Sequence, residues 1–129
     1  MKRRTCLTTL AAGALAPLAR AAEPAHPIQV HLDMSVDPTR EKEMLQHFEK
    51  DFKPAAAKFP GYIDVKIVKL RSAVQGKPPE GLNYRFVLTY QSEELRQKWI
   101  ASDIHQKVWG MLENTMRNKD YAVLLFDVV

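Results

Sequence analysis

The stretch IQVHLDMSVDP, residues 28–38, decides the fold because two different structural signals meet in it. Apolar and polar residues alternate from Ile28 to Val36, which is the two-residue period of a half-buried β-strand. Asp37 and Pro38 then form a helix start, since aspartate caps free backbone N–H groups and proline in the first turn has no N–H to lose. The stretch therefore predicts a strand that is followed at once by a helix.

The predicted helix extends to about residue 59. Its large apolar residues recur at helical spacing, at Met44, Leu45, Phe48, Phe52 and Phe59. Pro54 removes a backbone donor, so we expect it to kink or restart the helix. Pro60-Gly61 should end the helix.

The second half of the chain repeats the alternation of strand and helix. The sequence predicts a strand at 62–72, a loop at 73–83, a strand at 83–91, a helix that begins at Ser92, and a closing strand at 120–129. On the second strand, Ile63, Val65 and Ile67 are expected to share one face. The closing strand is apolar on both faces, with neither side suited to water.

The helix after Ser92 should break near residue 102. The apolar stripe that includes Trp99 does not continue into the stripe of His105 and Trp109, so Ser102 or Asp103 is expected to cap a second helical piece over 103–116. On that piece His105 lies on the apolar side.

The order β-α-β-β-α-β predicts an α+β, ferredoxin-like fold with a four-stranded antiparallel sheet and both helices on one face. The opposite face then lacks a cover, and the closing strand offers apolar residues to it. We therefore expect a homodimer that packs sheet against sheet.

The chain begins like an exported protein. Residues 1–21 combine a basic start, a short apolar run and a small-residue exit, which is typical of a cleavable signal peptide. Arg3 and Arg4 are compatible with the twin-arginine route, and the Sec route remains open. Residues 22–27 form an extended lead-in to a domain at 28–129, and a periplasmic or secreted location without a membrane span is expected.

Charge and cysteine content argue against two classes of function, nucleic-acid binding and metal binding. The chain has 19 basic and 15 acidic residues, but four basic residues and no acidic ones lie within 1–21. The mature chain would be balanced, which gives no electrostatic case for nucleic acid. Cys6 would leave with the signal peptide, and the four histidines lack metal-ligand spacing, so no metal site is predicted.

The domain resembles the antibiotic biosynthesis monooxygenase-like family of dimeric α+β barrels. The likeness covers residues 28–129 and rests on the element order, on FPGYIDVKIVKL at 59–70, and on SEELRQKWIASDIHQKVW at 92–109. Members often carry a tryptophan or histidine on this helix, a serine three positions later and a histidine just beyond. The family includes cofactor-independent oxygenases of aromatic compounds, haem-degrading oxygenases, and proteins with no assigned reaction.

The pattern of the haem-degrading branch is not matched. That branch has an asparagine on the first strand and an iron-binding histidine ten residues after the helix tryptophan. Here Trp99 fits, but the position ten residues on is Trp109, and the first strand has His31 and no asparagine. No cofactor is therefore predicted.

The cofactor-free branch implies a monooxygenase that acts on a small phenolic or quinol-type aromatic. A phenol that is deprotonated in a dry pocket can itself pass an electron to dioxygen, so the protein supplies a base and excludes water. In this interpretation His105 is the base, Trp99 and Trp109 are pocket walls, and Asn83, Tyr84 and Tyr90 are candidate hydrogen-bond partners.

Three alternatives stand beside the enzyme. His105 and the two tryptophans are also explained as core residues, with the histidine bonded to a backbone carbonyl. The domain could be a non-catalytic dimer that binds a small aromatic or haem-like ligand, or a purely structural partner domain.

Overall fold

The computed structural model describes residues 26–129, so the predicted signal peptide and most of the lead-in lie outside the described residues. These residues contain four strands, β1 (Ile28–Met34), β2 (Tyr62–Lys69), β3 (Tyr84–Tyr90) and β4 (Val123–Asp127). The helices are α1 (Glu41–His47), α2 (Lys53–Ala57), α3 (Glu93–Ala101) and α4 (Asp103–Glu113). The strands form one antiparallel sheet in the order β2-β3-β1-β4. The predicted ferredoxin-like α+β fold is confirmed.

The segment after β1 is less regular than a single helix. Asp37 accepts a hydrogen bond from the Thr39 backbone N–H at 2.9 Å and caps a short 3₁₀ turn, Pro38–Arg40, before α1 begins. A π-helical turn, Phe48–Phe52, separates α1 from α2 and carries two buried phenylalanines. Pro54 lies in the first turn of α2, where it costs no hydrogen bond, so the predicted restart of the helix is present.

The core lies between the sheet and the helices. Every second residue of β1 and β3 is buried on this side, and Phe52, Trp99 and Leu112 pack onto them from the helices. Phe52 meets Phe86 and Trp99 edge to face, at centroid distances of 5.1 and 5.8 Å. These contacts fix the π-helical turn and α3 over the middle of β3.

The predicted face of Ile63 is wrong. The pairing of β2 with β3 shifts between Tyr62 and Asp64, so Ile63 is the extra residue of a β-bulge and is 46% exposed. Tyr62, Val65 and Ile67 face the helices. The turn before β2 requires glycine at position 61. Gly61 has φ of +95°, and a Cβ there would lie 2.7 Å from Leu95 Cδ1.

Strand β4 is one of the two edges of the sheet. Its five residues are exposed on both faces in the single chain. Val123 and Leu125 lie on the helix side, and Leu124 and Phe126 lie on the opposite side, which we call the open face. The open face also carries Gln29, His31 and Asp33 of β1, and Arg85 and Thr89 of β3.

Candidate functional site

Two helix caps that the sequence predicts position the side chains of Trp99 and His105. Ser92 caps α3, and its Oγ accepts from the Leu95 backbone N–H at 3.2 Å. Ser102 ends α3 in extended conformation and caps α4, with its Oγ accepting from the His105 backbone N–H at 3.2 Å. The same hydroxyl donates to the Trp99 carbonyl at 2.6 Å. One serine therefore ties the backbones of Trp99 and His105 together across the break.

A cavity of about 250 Å³ lies between these helices and the sheet. Its walls are mainly apolar or aromatic, and they comprise Val30, Leu32, Phe52, Phe86, Leu88, Arg96, Trp99, Ile100, His105, Trp109, Tyr121 and Val123. An apolar cavity of about 150 Å³ is enough for one benzene ring. The lining and the volume fit a ligand of one or two rings.

Two buried polar atoms belong to residues of this lining. His105 is 9% exposed and Trp99 is fully buried, and their rings meet edge to face with centroids 5.0 Å apart. Neither His105 Nδ1 nor Trp99 Nε1 has a hydrogen-bond partner among residues 26–129. Buried polar groups without partners are costly, and they are therefore uncommon in a purely structural core. The pair can offer an oxygen-bearing ligand a donor at Trp99 and an acceptor at neutral His105.

The environment of His105 keeps its side chain uncharged. Burial, and next the positive charge of Arg96, lower the pKa of His105 to about 4, while a weak hydrogen-bonding contact with the Ile100 backbone carbonyl raises it. At neutral pH the imidazole therefore has a free lone pair. Charge is costly in so apolar a site.

Arg96 is the charged residue that acts on the histidine. Its guanidinium is held by Glu93 in a two-point ion pair, with Nε–Oε1 at 2.6 Å and Nη2–Oε2 at 2.7 Å. The side chain is 19% exposed. Sequence analysis missed Arg96, although it lies three residues before Trp99 and so on the same side of α3.

Tyr121 also lines the cavity, although the sequence predicted for it only a place in the closing strand at 120–129. Its hydroxyl accepts from Trp109 Nε1 at 3.3 Å and donates to Glu113 Oε2 at 2.6 Å. The tyrosine and tryptophan rings are 6.0 Å apart between centroids. A hydrogen-bonded chain therefore fixes both rings at one end of the cavity.

Three of the predicted pocket residues lie elsewhere. Asn83 holds the backbone N–H and carbonyl of Val36, each at 2.8 Å, so its amide is used to fasten the end of β1. The Tyr84 hydroxyl donates to Glu41 at 2.6 Å. Tyr90 is buried beside Tyr62. The structure brings together His105, Trp99 and Trp109. It does not bring Asn83, Tyr84 or Tyr90 to them, because Asn83 precedes β3 and the two tyrosines lie at its two ends.

The other histidines are outside the cavity. His31 lies on the open face, where Nε2 is 2.6 Å from Gln29 Oε1 and the ring packs on Phe126. His47 contacts Glu43 and Asp51 on the helix surface. Within residues 26–129 no three histidine, cysteine or acidic side chains are grouped as they would be to hold a metal ion.

Comparison with known proteins identifies the fold. No family model matches the chain, and no curated protein matches it in sequence. Solved structures do resemble it. A dimeric ferredoxin-like protein of unknown function from Jannaschia sp. CCS1 is 17% identical, with a TM-score of 0.67 over 79% of this chain and 99% of that one.

Two further structures connect the fold with oxygenases. A candidate antibiotic biosynthesis monooxygenase from Caulobacter crescentus CB15 is 19% identical, with a TM-score of 0.64 over 87% of this chain and 98% of that one. A mutant form of SnoaB, a cofactor-independent oxygenase from Streptomyces nogalater, is 12% identical, with a TM-score of 0.63 over 81% of this chain and 94% of that one. The chain has the ferredoxin-like fold of the antibiotic biosynthesis monooxygenase-like proteins. At these identities the similarity concerns the fold and not the reaction.

Proposed function

We propose that this protein is a cofactor-independent monooxygenase for a phenolic or quinol-type aromatic of one or two rings, with its active site in the His105 cavity. The observation that carries the proposal is the unpartnered His105 Nδ1, buried beside the unpartnered Trp99 Nε1 in an aromatic cavity of the described chain. SnoaB has the same fold and is a cofactor-independent oxygenase, which supports the reaction class.

The reaction needs no electrons from the protein. With 1,4-dihydroxynaphthalene as substrate, one atom of dioxygen becomes a new ring hydroxyl and the other leaves as water, so that the diol is converted to a hydroxynaphthoquinone. His105 accepts the phenolic proton while Trp99 donates to the developing anion. Because the free imidazole has a low pKa, it takes the proton only as the phenolate forms beside it, when the opposite charge raises that pKa.

The test is oxygen uptake by protein treated with a chelator and supplied with hydroquinone or 1,4-dihydroxynaphthalene. His105→Ala should lower turnover by about 10²- to 10⁴-fold, the usual cost of losing a general base. His47→Ala removes a histidine outside the cavity and is the matched control, with turnover expected to stay as in the unmodified protein. A His105→Ala variant with unchanged uptake would contradict the proposal.

The second candidate is a binding protein for a small aromatic without turnover. The low pKa of His105 favours it, because an imidazole that stays neutral serves well as a hydrogen-bonding group. A haem-like macrocycle does not suit a cavity of about 250 Å³, which is smaller than the ~300–1,000 Å³ typical of drug-sized ligands. Saturable binding of a naphthol with no oxygen uptake would select this candidate.

A homodimer joined through the open face is part of the proposal. Leu124 and Phe126 are 47% and 46% exposed there, and Val128, 40% exposed, follows the end of β4, so exposed apolar residues run along this sheet edge. Beside these residues, Arg85 and Asp33 pair at 2.7 Å and Gln29 donates to Thr89 at 3.1 Å, so the polar groups of the sheet centre already have partners. The dimeric state of the Jannaschia protein supports this assembly.

Export is the remaining part of the proposal, and it rests on the sequence of residues 1–21. No helix in residues 26–129 has the length and apolar character that a membrane crossing requires. Sequencing the N-terminus of protein from the cell envelope should find a start within one or two residues of Ala22. Recovery of chains that still begin at Met1 would contradict export.

A further inference from the structure

Tyr121 stands between two spaces of different character. On one side lies the aromatic cavity of about 250 Å³. On the other lies a more open pocket of about 500 Å³, whose lining includes Glu80, Arg117, Asp120 and Tyr121. Tyr121 is the residue that the two linings share.

The ring of Tyr121 is fixed in this position. Its hydroxyl is held between Trp109 Nε1 at 3.3 Å and the Glu113 carboxylate at 2.6 Å. Both partners are on α4, so the contacts tie the segment before β4 to that helix. Lys119 Nζ lies 3.9 Å from the other oxygen of Glu113. A ring held by a charge-assisted hydrogen bond does not yield easily to a larger ligand.

We infer that Tyr121 is the residue that sets the size limit for ligands of the His105 cavity. With the ring in place, the cavity takes one ring or two fused rings. Without the ring, the cavity would continue into the outer pocket and admit a third. The inference rests on the proposed ligand site, but it concerns binding and does not require turnover.

The outer pocket differs from the aromatic cavity in polarity. It includes the charged residues Glu80, Arg117 and Asp120, and the Arg117 guanidinium is already bonded to Ser35 Oγ at 3.0 Å and to the Gly81 carbonyl at 3.2 Å. A ligand that passed the position of Tyr121 would enter water and polar groups. Because the Tyr121 ring stands between the cavity and this pocket, the unmodified protein should prefer compact aromatic ligands over extended polycyclic ones.

The test is a binding series with phenol, 2-naphthol and 2-hydroxyanthracene, measured by calorimetry or by ligand fluorescence. The unmodified protein should bind 2-naphthol best and reject 2-hydroxyanthracene. Tyr121→Ala should bind 2-hydroxyanthracene at least about tenfold more tightly than the unmodified protein does, a difference that hydrophobic pockets reach even for small changes in shape.

Two control variants separate the size limit from general damage. Tyr121→Phe keeps the ring and loses the hydroxyl, so the rejection of the three-ring ligand should remain. Tyr62→Ala removes a half-buried tyrosine outside the cavity, and it should leave the series unchanged. A Tyr121→Ala variant that keeps the original preference would overturn the inference, as would equally tight binding of all three ligands by the unmodified protein or no binding by either. Altered size preference without oxygen uptake would leave the inference standing and reject the monooxygenase.

Discussion

His105 is the residue on which the functional interpretation depends. Its ring contacts Phe52 and Trp99, its Nδ1 has no partner in the described part of the chain, and its pKa is lowered to about 4. Buried nitrogens of core histidines usually have a partner, although the buried hydroxyl of Tyr90, outside the cavity, also lacks one. The sequence placed His105 on an apolar stripe, but it could not separate a core residue from a pocket residue, because that distinction depends on atoms from β1, β3 and α3.

The lowered pKa of His105 predicts a pH dependence of stability. In the unfolded chain the imidazole has its ordinary pKa of 6.5, so between pH 6.5 and 4 the unfolded state binds a proton that the folded state does not. The free energy of unfolding should therefore be at its full value above pH 6.5 and fall as the pH is lowered through this window, by up to about 3 kcal/mol from this group.

His105→Gln removes that titration and should flatten the acid limb of the stability curve, as measured by urea unfolding at pH 7 and at pH 4.5. His47→Gln serves as the control, since His47 lies on the surface of α1 and is not part of the cavity. If His105→Gln loses as much stability on acidification as the unmodified protein, the buried imidazole is not the titrating group.

At the scale of elements, the break between α3 and α4 does most to form the site. Ser102 caps α4 and holds the end of α3, so Trp99 and His105 come from two helices that share one serine. The break could be predicted because the apolar stripe changes face there and because serine is a preferred cap. Its consequence, two rings facing one cavity, required the structure.

The cap can be tested with a matched pair of substitutions. Ser102→Ala and Ser92→Ala should each lower the free energy of unfolding by about 1 kcal/mol, since each removes an N-cap hydrogen bond. Ser102→Ala should also weaken 2-naphthol binding, because it loosens both Trp99 and His105. If the two variants weaken 2-naphthol binding equally, Ser102 has no special role in positioning Trp99 and His105.

Other features of the elements could not be read from the sequence. The bulge at Ile63 depends on pairing with β3, and a one-residue shift moves a side chain to the other face. Tyr121 and Trp109 are 12 residues apart in the chain, and only the packing of the segment before β4 beside α4 brings them together. Local patterns of polarity carry no information about such contacts.

At the scale of the whole molecule, the open face decides the assembly. Two charged and several neutral polar groups at its centre pair with one another, and exposed apolar residues lie along β4 and at Val68 of β2. A second copy is the partner that the two-sided exposure of β4 predicts. On β4, Leu124 faces the open side and Leu125 faces the helices.

Leu124→Asp should therefore disrupt the dimer. A buried charge without a partner costs about 3 kcal/mol or more, on the order of 100-fold in the dissociation constant. Val74→Asp is the control, because Val74 is 99% exposed in the loop between β2 and β3. Light scattering at micromolar concentration should show a dimer for the unmodified and Val74→Asp proteins and a monomer for Leu124→Asp. A stable monomer in the unmodified protein would contradict the assembly.

The fate of dioxygen tests the proposed catalysis at His105 most directly. Chelator-treated protein is incubated with 1,4-dihydroxynaphthalene under ¹⁸O₂, quenched early, and the product is analysed by mass spectrometry. The proposed mechanism predicts a hydroxynaphthoquinone that carries one ¹⁸O atom, formed by the unmodified protein and by His47→Ala but not above background by His105→Ala. A product without label, or labelled product formed equally by His105→Ala, would contradict catalysis at His105.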